Sequence, residues 1–257
     1  MADIYRDIRT FLDQERELFG ESVLTTSPAR LLADSLPAVP QPATEPEELS
    51  LFELSETSRK SHPMESWTTT TSLGALDSAI NQCLKCPLGQ TRTRFVFGVG
   101  NPNATLMLIG EAPGADEDLQ GEPFVGRAGQ LLNKILEAIQ FKREDVYICN
   151  ILKCRPPGNR KPQSNEVEQC IPYLKKQIAL VKPRLILCLG LTAAENLLHT
   201  SESLGNLRGR VMRFEGTPLM VTYHPAALLR NPNWKRPAWE DVQAARALHD
   251  KLVAEVS

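Results

Sequence analysis

Four short apolar runs, each closed by glycine or polar turn residues and three of them leading into a helical pattern, constrain this chain more than any other feature. They are Ala104–Ile109, Val146–Asn150, Arg184–Gly190 and Pro218–Tyr223. Runs of that length, rich in β-branched and aliphatic residues, predict buried strands. Apolar spacing predicts helices over Gly126–Ile139, Ser164–Val181, Leu191–Leu198 and Pro237–Val253, the second opening with Ser164 as its N-cap. Strands alternating with helices imply an α/β fold, a doubly wound α/β/α sandwich with a central, mainly parallel four-stranded sheet. A short hairpin is predicted over Gly209–Gly216.

Ligands of such sheets bind beyond the carboxyl ends of the strands. The residues that follow those ends are the GEAPG turn at Gly110–Gly114, the segment Asn150–Arg160, Gly190-Leu191-Thr192 and His224-Pro225. All four are expected to converge on one crevice. Read without context, GEAPG is an ordinary turn, Asn150 a turn residue, Phe124 a core aromatic and His224 a structural histidine.

The chain has 257 residues, 42% of them hydrophobic and 23% charged, sufficient for a full core with an appendage. Residues 1–80 carry 14 acidic and 6 basic side chains, and residues 81–257 the other 17 acidic and 23 basic. The balance of minus eight against plus six leaves the C-terminal part suited to a polyanion. Ile4, Ile8, Phe11, Leu12, Leu18 and Phe19 recur at near-helical spacing, which predicts an amphipathic helix within residues 1–20 that docks on a protein partner or on the body. Residues 21–71 read as a disordered acidic linker rich in Pro, Ser and Thr, and residues 72–257 as the folded domain, whose first helix is Leu73–Ile80. No segment is long and apolar enough for a membrane span, and MADIYRDIRTFLDQERELF is too charged for a signal peptide. A cytoplasmic monomer with no membrane attachment is expected.

Six cysteines in that compartment read as thiols or metal ligands. Cys83 and Cys86 form a CxxC, and Cys154 and Cys170 follow after 67 and 15 intervening residues. Four thiolates suit a tetrahedral zinc or an iron-sulfur cluster, and four unrelated buried thiols are the simpler alternative. Cys149 and Cys188 lie inside predicted strands and read as core.

Taken together, GEAPGADED followed by GEPFVGRAGQLL, the segment YICNILKCRPPGNRKP, the CxxC with two later cysteines, and HPAALLR resemble the family 4 uracil-DNA glycosylases. These are the iron-sulfur branch of their superfamily, and the resemblance covers about residues 80–255. It implies a monofunctional enzyme of base-excision repair that hydrolyses the N-glycosidic bond of uracil in DNA. It also implies a 4Fe-4S cluster on Cys83, Cys86, Cys154 and Cys170, which ties two distant segments together.

By the same resemblance, backbone amides of Gly110, Glu111 and Ala112 and the side chain of His224 stabilise the departing uracil anion. Phe124 stacks on the flipped base, and Asn150 offers a donor and an acceptor that match uracil and not cytosine. Ala112 stands where relatives outside the branch carry a water-activating Asp or Asn. Glu117 and Glu111 are the remaining candidates to position water, Glu117 matching an acid near the uracil C5 edge. Asp116 and Asp118 are expected to face solvent. Leu228 or Leu229 is expected to fill the vacated base stack, and Arg230 to meet a phosphate. Lys153, Arg155, Arg160 and Lys161 form the densest basic run and read as backbone contacts or as solvated loop charges. Two other readings are a non-catalytic DNA-binding module of the same fold and a zinc-stabilised interaction protein whose N-terminal arm docks on a partner.

Overall fold

A computed structural model of the chain describes residues 65–255. The helix expected within residues 1–20, and the linker up to residue 64, lie outside that range.

The sheet has six strands: β1 (Val99–Gly100), β2 (Leu106–Gly110), β3 (Tyr147–Asn150), β4 (Leu185–Leu189), β5 (Met212–Phe214) and β6 (Thr217–Thr222). Their order is β1-β3-β2-β4-β6-β5. The four inner strands are parallel, and they are the four anticipated from the apolar runs. β1 and β5 close the two edges in antiparallel pairings.

The helices are α1 (Leu73–Ile80), α2 (Ala115–Gln120), α3 (Arg127–Ala138), α4 (Ser164–Val181), α5 (Leu191–Leu198), α6 (Pro225–Arg230) and α7 (Lys235–Ala254), with single turns at Leu88–Thr91 and Leu204–Leu207. Every residue of β2 and β4 is buried, as a strand covered on both faces requires. Alternate residues feed two cores. Met107, Ile109, Ile186 and Cys188 pack with Leu76, Leu174, Ile178 and Leu197 from α1, α4 and α5. Leu106, Leu108, Leu185 and Leu187 pack with Leu132, Leu136, Val242 and Ala245 from α3 and α7. Cys149 and Cys188 are fully buried in the first core.

Three local expectations are corrected. The hairpin pairs β5 with β6 around Glu215-Gly216, both at positive φ, so it spans residues 212–222 and not 209–216. That geometry suits a tight two-residue turn between right-twisted strands. The N-cap of α4 is Gln163, whose amide donates to the Glu166 carboxylate at 2.9 Å, and Ser164 is already helical. α7 starts at Lys235 because a proline at position 237 is tolerated in a first turn. Among the described residues, no helix is long and apolar enough to cross a membrane.

A 3₁₀ turn over Ser66–Thr69, within the stretch assigned to the linker, packs on the body. Trp67 meets Tyr173 edge-on with ring centres 5.0 Å apart, and Lys176 Nζ donates to the Thr68 carbonyl at 2.8 Å. An aromatic pair of this kind contributes about 1 kcal/mol beyond its buried area. A chain starting at Ser72 is therefore expected to melt about 2–4 °C or more below one starting at Glu65, as read by calorimetry.

Candidate active site

The carboxyl ends of β2 and β3 are adjacent, and the ring of Phe124 bridges them to His224 after β6, with β4 lying between β2 and β6. Gly110 and Asn150 are paired residues at the ends of neighbouring strands, and the pairing continues as Ile151 N donates to Gly110 O and Leu152 N to Glu111 O. The contact is too close for any side chain at residue 110. A Cβ there would stand 2.4 Å from Asn150 Oδ1 and 2.7 Å from Phe124 Cζ. Glycine is thus imposed by the approach of a carboxamide and an aromatic ring to the strand end.

Asn150 is buried, and its Oδ1 has no hydrogen-bond partner among the described residues. A buried acceptor without a partner costs about 1–3 kcal/mol, so this atom is poised for a donor from a ligand. Phe124 is buried beside it with φ at +54°, a left-handed conformation that bulky residues adopt only under constraint. The constraint is visible. Arg143 holds the Pro123 carbonyl, and the Phe124 carbonyl sits so close to Gly129 that a Cβ there would fall 1.8 Å away.

His224 closes the other side. Its ring lies 5.4 Å from that of Phe124 at a 30° tilt, and its Cβ is 3.0 Å from where a side chain on Gly190 would begin. Nδ1 accepts from Ala226 N at 3.1 Å, which assigns the ring proton of the neutral form to Nε2. Burial pushes its pKa down to about 4, with Arg230 adding to the shift and Glu117 opposing it. At neutral pH the imidazole is an uncharged donor. The preceding strand end is anchored by buried Asp241, which accepts from Thr222 Oγ1 at 2.9 Å and takes Arg208 in a two-point pair.

Glu117, on α2, spends both carboxylate oxygens on backbone. Oε2 accepts from Gly114 N at 3.0 Å, and Oε1 from Val125 N at 3.0 Å and Gly126 N at 3.1 Å. It clamps the GEAPG turn to the loop that carries Phe124. Glu111 is half-buried, and its carboxylate forms no hydrogen bond among the described residues. Asp116 is exposed as expected. Asp118 is not: it is buried and accepts from Thr93 N at 2.9 Å, because α2 turns it inward onto the chain before β1.

The four cysteines of the motif border one region of the first core. Arg92 Nη1 donates to Cys83 O at 2.6 Å and to Cys154 Sγ at 3.4 Å, joining the CxxC segment to the loop after β3. Tyr173 Oη donates to Cys83 Sγ at 3.3 Å. Burial pushes Cys170 up to about 12 and also raises Cys154, and each of these thiols feels Cys86. Among the described residues, no three His, Cys, Asp or Glu side chains are grouped so as to hold a metal ion.

The basic run divides. Lys153 is fully buried, which removes it from any DNA surface. Burial pulls its pKa down, and the thiols of Cys149, Cys170 and Cys154 oppose that. Arg160 forms a two-point pair with buried Glu166, whose carboxyl it holds below the usual range, and Lys161 pairs with Glu195 at 3.0 Å. Arg155 donates to Asn159 on the exposed loop. Leu228 is buried against Leu131 and Ala238, so it is not available as an exposed wedge. Leu229 is only partly buried and Arg230 is exposed. Sequence reasoning did not anticipate the roles of Arg92, Arg143, Gly129 or Asp241. Each acts through a tertiary contact that no local pattern encodes.

The strand ends of this open α/β sheet thus carry a carboxamide, an aromatic face and a neutral imidazole close together. Residues 97–243 match the model of the uracil DNA glycosylase superfamily, and the chain belongs to that superfamily. Its resemblance extends to the type-4 branch. The chain is 47% identical over 168 residues to a type-4 uracil-DNA glycosylase of Pyrobaculum aerophilum, covering 62% of this chain and 86% of the relative. It is 45% identical to one of Archaeoglobus fulgidus, over 63% and 85% of the two chains, and 40% identical to one of Thermotoga maritima, over 67% and 92%.

Hydrogen bonds to a charged acceptor are worth about 1.5–3 kcal/mol each. Replacing Glu117 by Ala is expected to speed amide hydrogen exchange at Gly114, Val125 and Gly126 by about ten-fold or more, with the sheet amides far less affected.

Proposed function

We infer that this chain is a monofunctional uracil-DNA glycosylase: it adds water across the N-glycosidic bond of deoxyuridine in DNA and leaves an abasic site, the opening step of base-excision repair. The observation that carries this reading is the buried Asn150 Oδ1 without a partner, framed by Gly110 and Phe124. Uracil offers N3–H to that oxygen and O4 to the carboxamide nitrogen. Cytosine reverses the pattern and would leave the same groups unpaired.

The target nitrogen is out of reach inside a duplex, so the base swings out and stacks on Phe124. As the bond from N1 to C1′ breaks, the electron pair leaves with uracil, and the ring becomes an anion while the sugar becomes cationic. Neutral His224 donates through Nε2 to the uracil O2, and amides of the Gly110–Ala112 turn supply further donors. A neutral donor suits this task, because an imidazolium would first have to be desolvated. Water then bonds to C1′ and gives up one proton, which neutralises the uracil anion either directly or by way of solvent, so the products are the C1′ hydroxyl of the abasic site and neutral uracil. With both oxygens of Glu117 committed to backbone amides, Glu111 is the carboxylate left to orient that water, and Glu117 acts as a positioning residue. Leu229 is the wedge for the vacated stack. Arg230 and Arg155 meet phosphates, and Lys161 joins them by exchanging Glu195 for DNA.

Cys83, Cys86, Cys154 and Cys170 would hold a 4Fe-4S cluster. A cluster spreads its thiolates over several irons, whereas zinc draws four sulfurs to one point. The fully buried Lys153 beside these thiols also fits an anionic centre. The cluster supplies structure here, since hydrolysis transfers no electrons. The domain is read as starting just before the Ser66–Thr69 turn that packs on the body, a few residues earlier than position 72, and the protein as a cytoplasmic monomer whose N-terminal segment engages a protein partner.

Single-turnover cleavage of an oligonucleotide with one deoxyuridine tests the reading. Asn150→Ala and His224→Ala are each expected to slow cleavage by about 10²–10³-fold while DNA affinity changes little. Equal losses in cleavage and binding would make both residues structural.

The His224 shift sets a pH dependence. Its folded pKa lies below the ordinary 6.5, so the neutral donor persists down to about pH 4. The single-turnover rate is expected to show no histidine inflection between pH 6 and 7. The stability linked to this residue, full above pH 6.5, is lost as the pH falls through 6.5 towards 4.

A further inference from the structure

Lys153 stands between the uracil pocket and the cysteines, three residues after Asn150 and one before Cys154. Its exposure is 0%. Nζ donates to the main-chain oxygen of Asn150 at 2.8 Å and to Gln177 Oε1 at 2.6 Å, both neutral acceptors. Gln177 is also at 0% exposure and is fixed in turn, donating to Phe97 O at 3.0 Å and to the Tyr147 hydroxyl at 3.1 Å. An ammonium ion taken fully out of water requires an opposite charge, and neutral oxygens do not provide one. Cys154 is the next residue in the chain, and Cys149, Cys154 and Cys170, whose thiols can carry negative charge, are buried together in the first core. Cys149 is core within β3, whereas Cys154 and Cys170 belong to the four-cysteine centre.

We propose that the Lys153 ammonium is the internal counter-charge of the centre formed by Cys83, Cys86, Cys154 and Cys170, and that its bond to the Asn150 carbonyl couples that centre to the seating of Asn150 in the uracil pocket. The proposal rests on the iron-sulfur reading given above. Lys153 does not touch substrate and is a positioning residue. Loss of the charge makes an added electron on the centre less favourable, because net charge and hydrogen bonding set cluster potentials. Loss of the bond to Asn150 loosens the carboxamide that reads the base.

The test uses the anaerobically purified full chain, with iron and sulfide analysis, protein-film voltammetry and single-turnover kinetics. Lys153→Met removes charge and bond at nearly constant volume. It is expected to shift the cluster potential to more negative values and to slow uracil release at least ten-fold, with the apparent KM for uracil-DNA changed less than three-fold. Lys153→Arg, which keeps the charge, is expected to hold the potential nearer to the wild type. Gln177→Glu sets a carboxylate against the ammonium, so it predicts a shift in the same direction as Lys153→Met even if that variant takes up no iron. Wild-type protein that contains no iron and sulfide would overturn the cluster reading itself. A wild-type cluster whose potential ignores both neutralising substitutions would overturn the role of Lys153 alone.

Discussion

The pocket depends on how closely β2 and β3 approach where they end. Their last paired residues are Gly110 and Asn150, and the space a methyl group would take on the first is filled by the carboxamide of the second and the ring of Phe124. A strand end normally opens into a loop with freedom to move. Here the hydrogen bonds continue for two more residues, from Ile151 and Leu152 back to Gly110 and Glu111, so the carboxamide is delivered by rigid backbone. Rigidity is what the base-reading role proposed for Asn150 needs. A donor-acceptor pair discriminates uracil from cytosine only if it cannot rotate or shift to suit the wrong base.

Much of the charge near the site is paired within the protein and maintains that geometry. Glu117 joins two loops through three amides, Asp118 is buried against Thr93, Asp241 steadies the strand that leads to His224, and Arg160 is committed to Glu166. Lys153 is the extreme case, a lysine with no exposure whose partners are a main-chain oxygen and a glutamine. Such groups hold strained elements in place, among them the left-handed Phe124.

The four inner strands were legible in the sequence because strands buried on both faces appear as continuous apolar runs. The helices α1, α3, α4, α5 and α7 were legible from a different signal, an apolar stripe at helical spacing. α2 was not, since ADEDLQ has almost no apolar period and is held by Glu117 and its turn. Asn150, Phe124 and His224 could be named only through motif resemblance; their residue types alone favoured plainer roles. What the sequence could not disclose was where charges go. Lys153 and Arg160 sit in a basic run that reads as a DNA surface, and Leu228 in a loop that reads as a wedge. Lys153 is buried onto Gln177 and Leu228 onto Leu131 and Ala238, while Arg160 is paired with Glu166, and none of these partners is signalled by the run itself.

On the function proposed here, the Asn150 carboxamide selects uracil by presenting an acceptor to N3–H and a donor to O4. Single-turnover release of uracil and of cytosine from matched oligonucleotides by Asn150→Asp tests it most directly. A carboxylate keeps the shape and loses the donor, so uracil release is expected to fall by about two orders of magnitude or more while cytosine, which presents an amino group in place of O4, becomes detectable as a substrate. Uracil release at the wild-type rate, with cytosine still refused, would contradict the account.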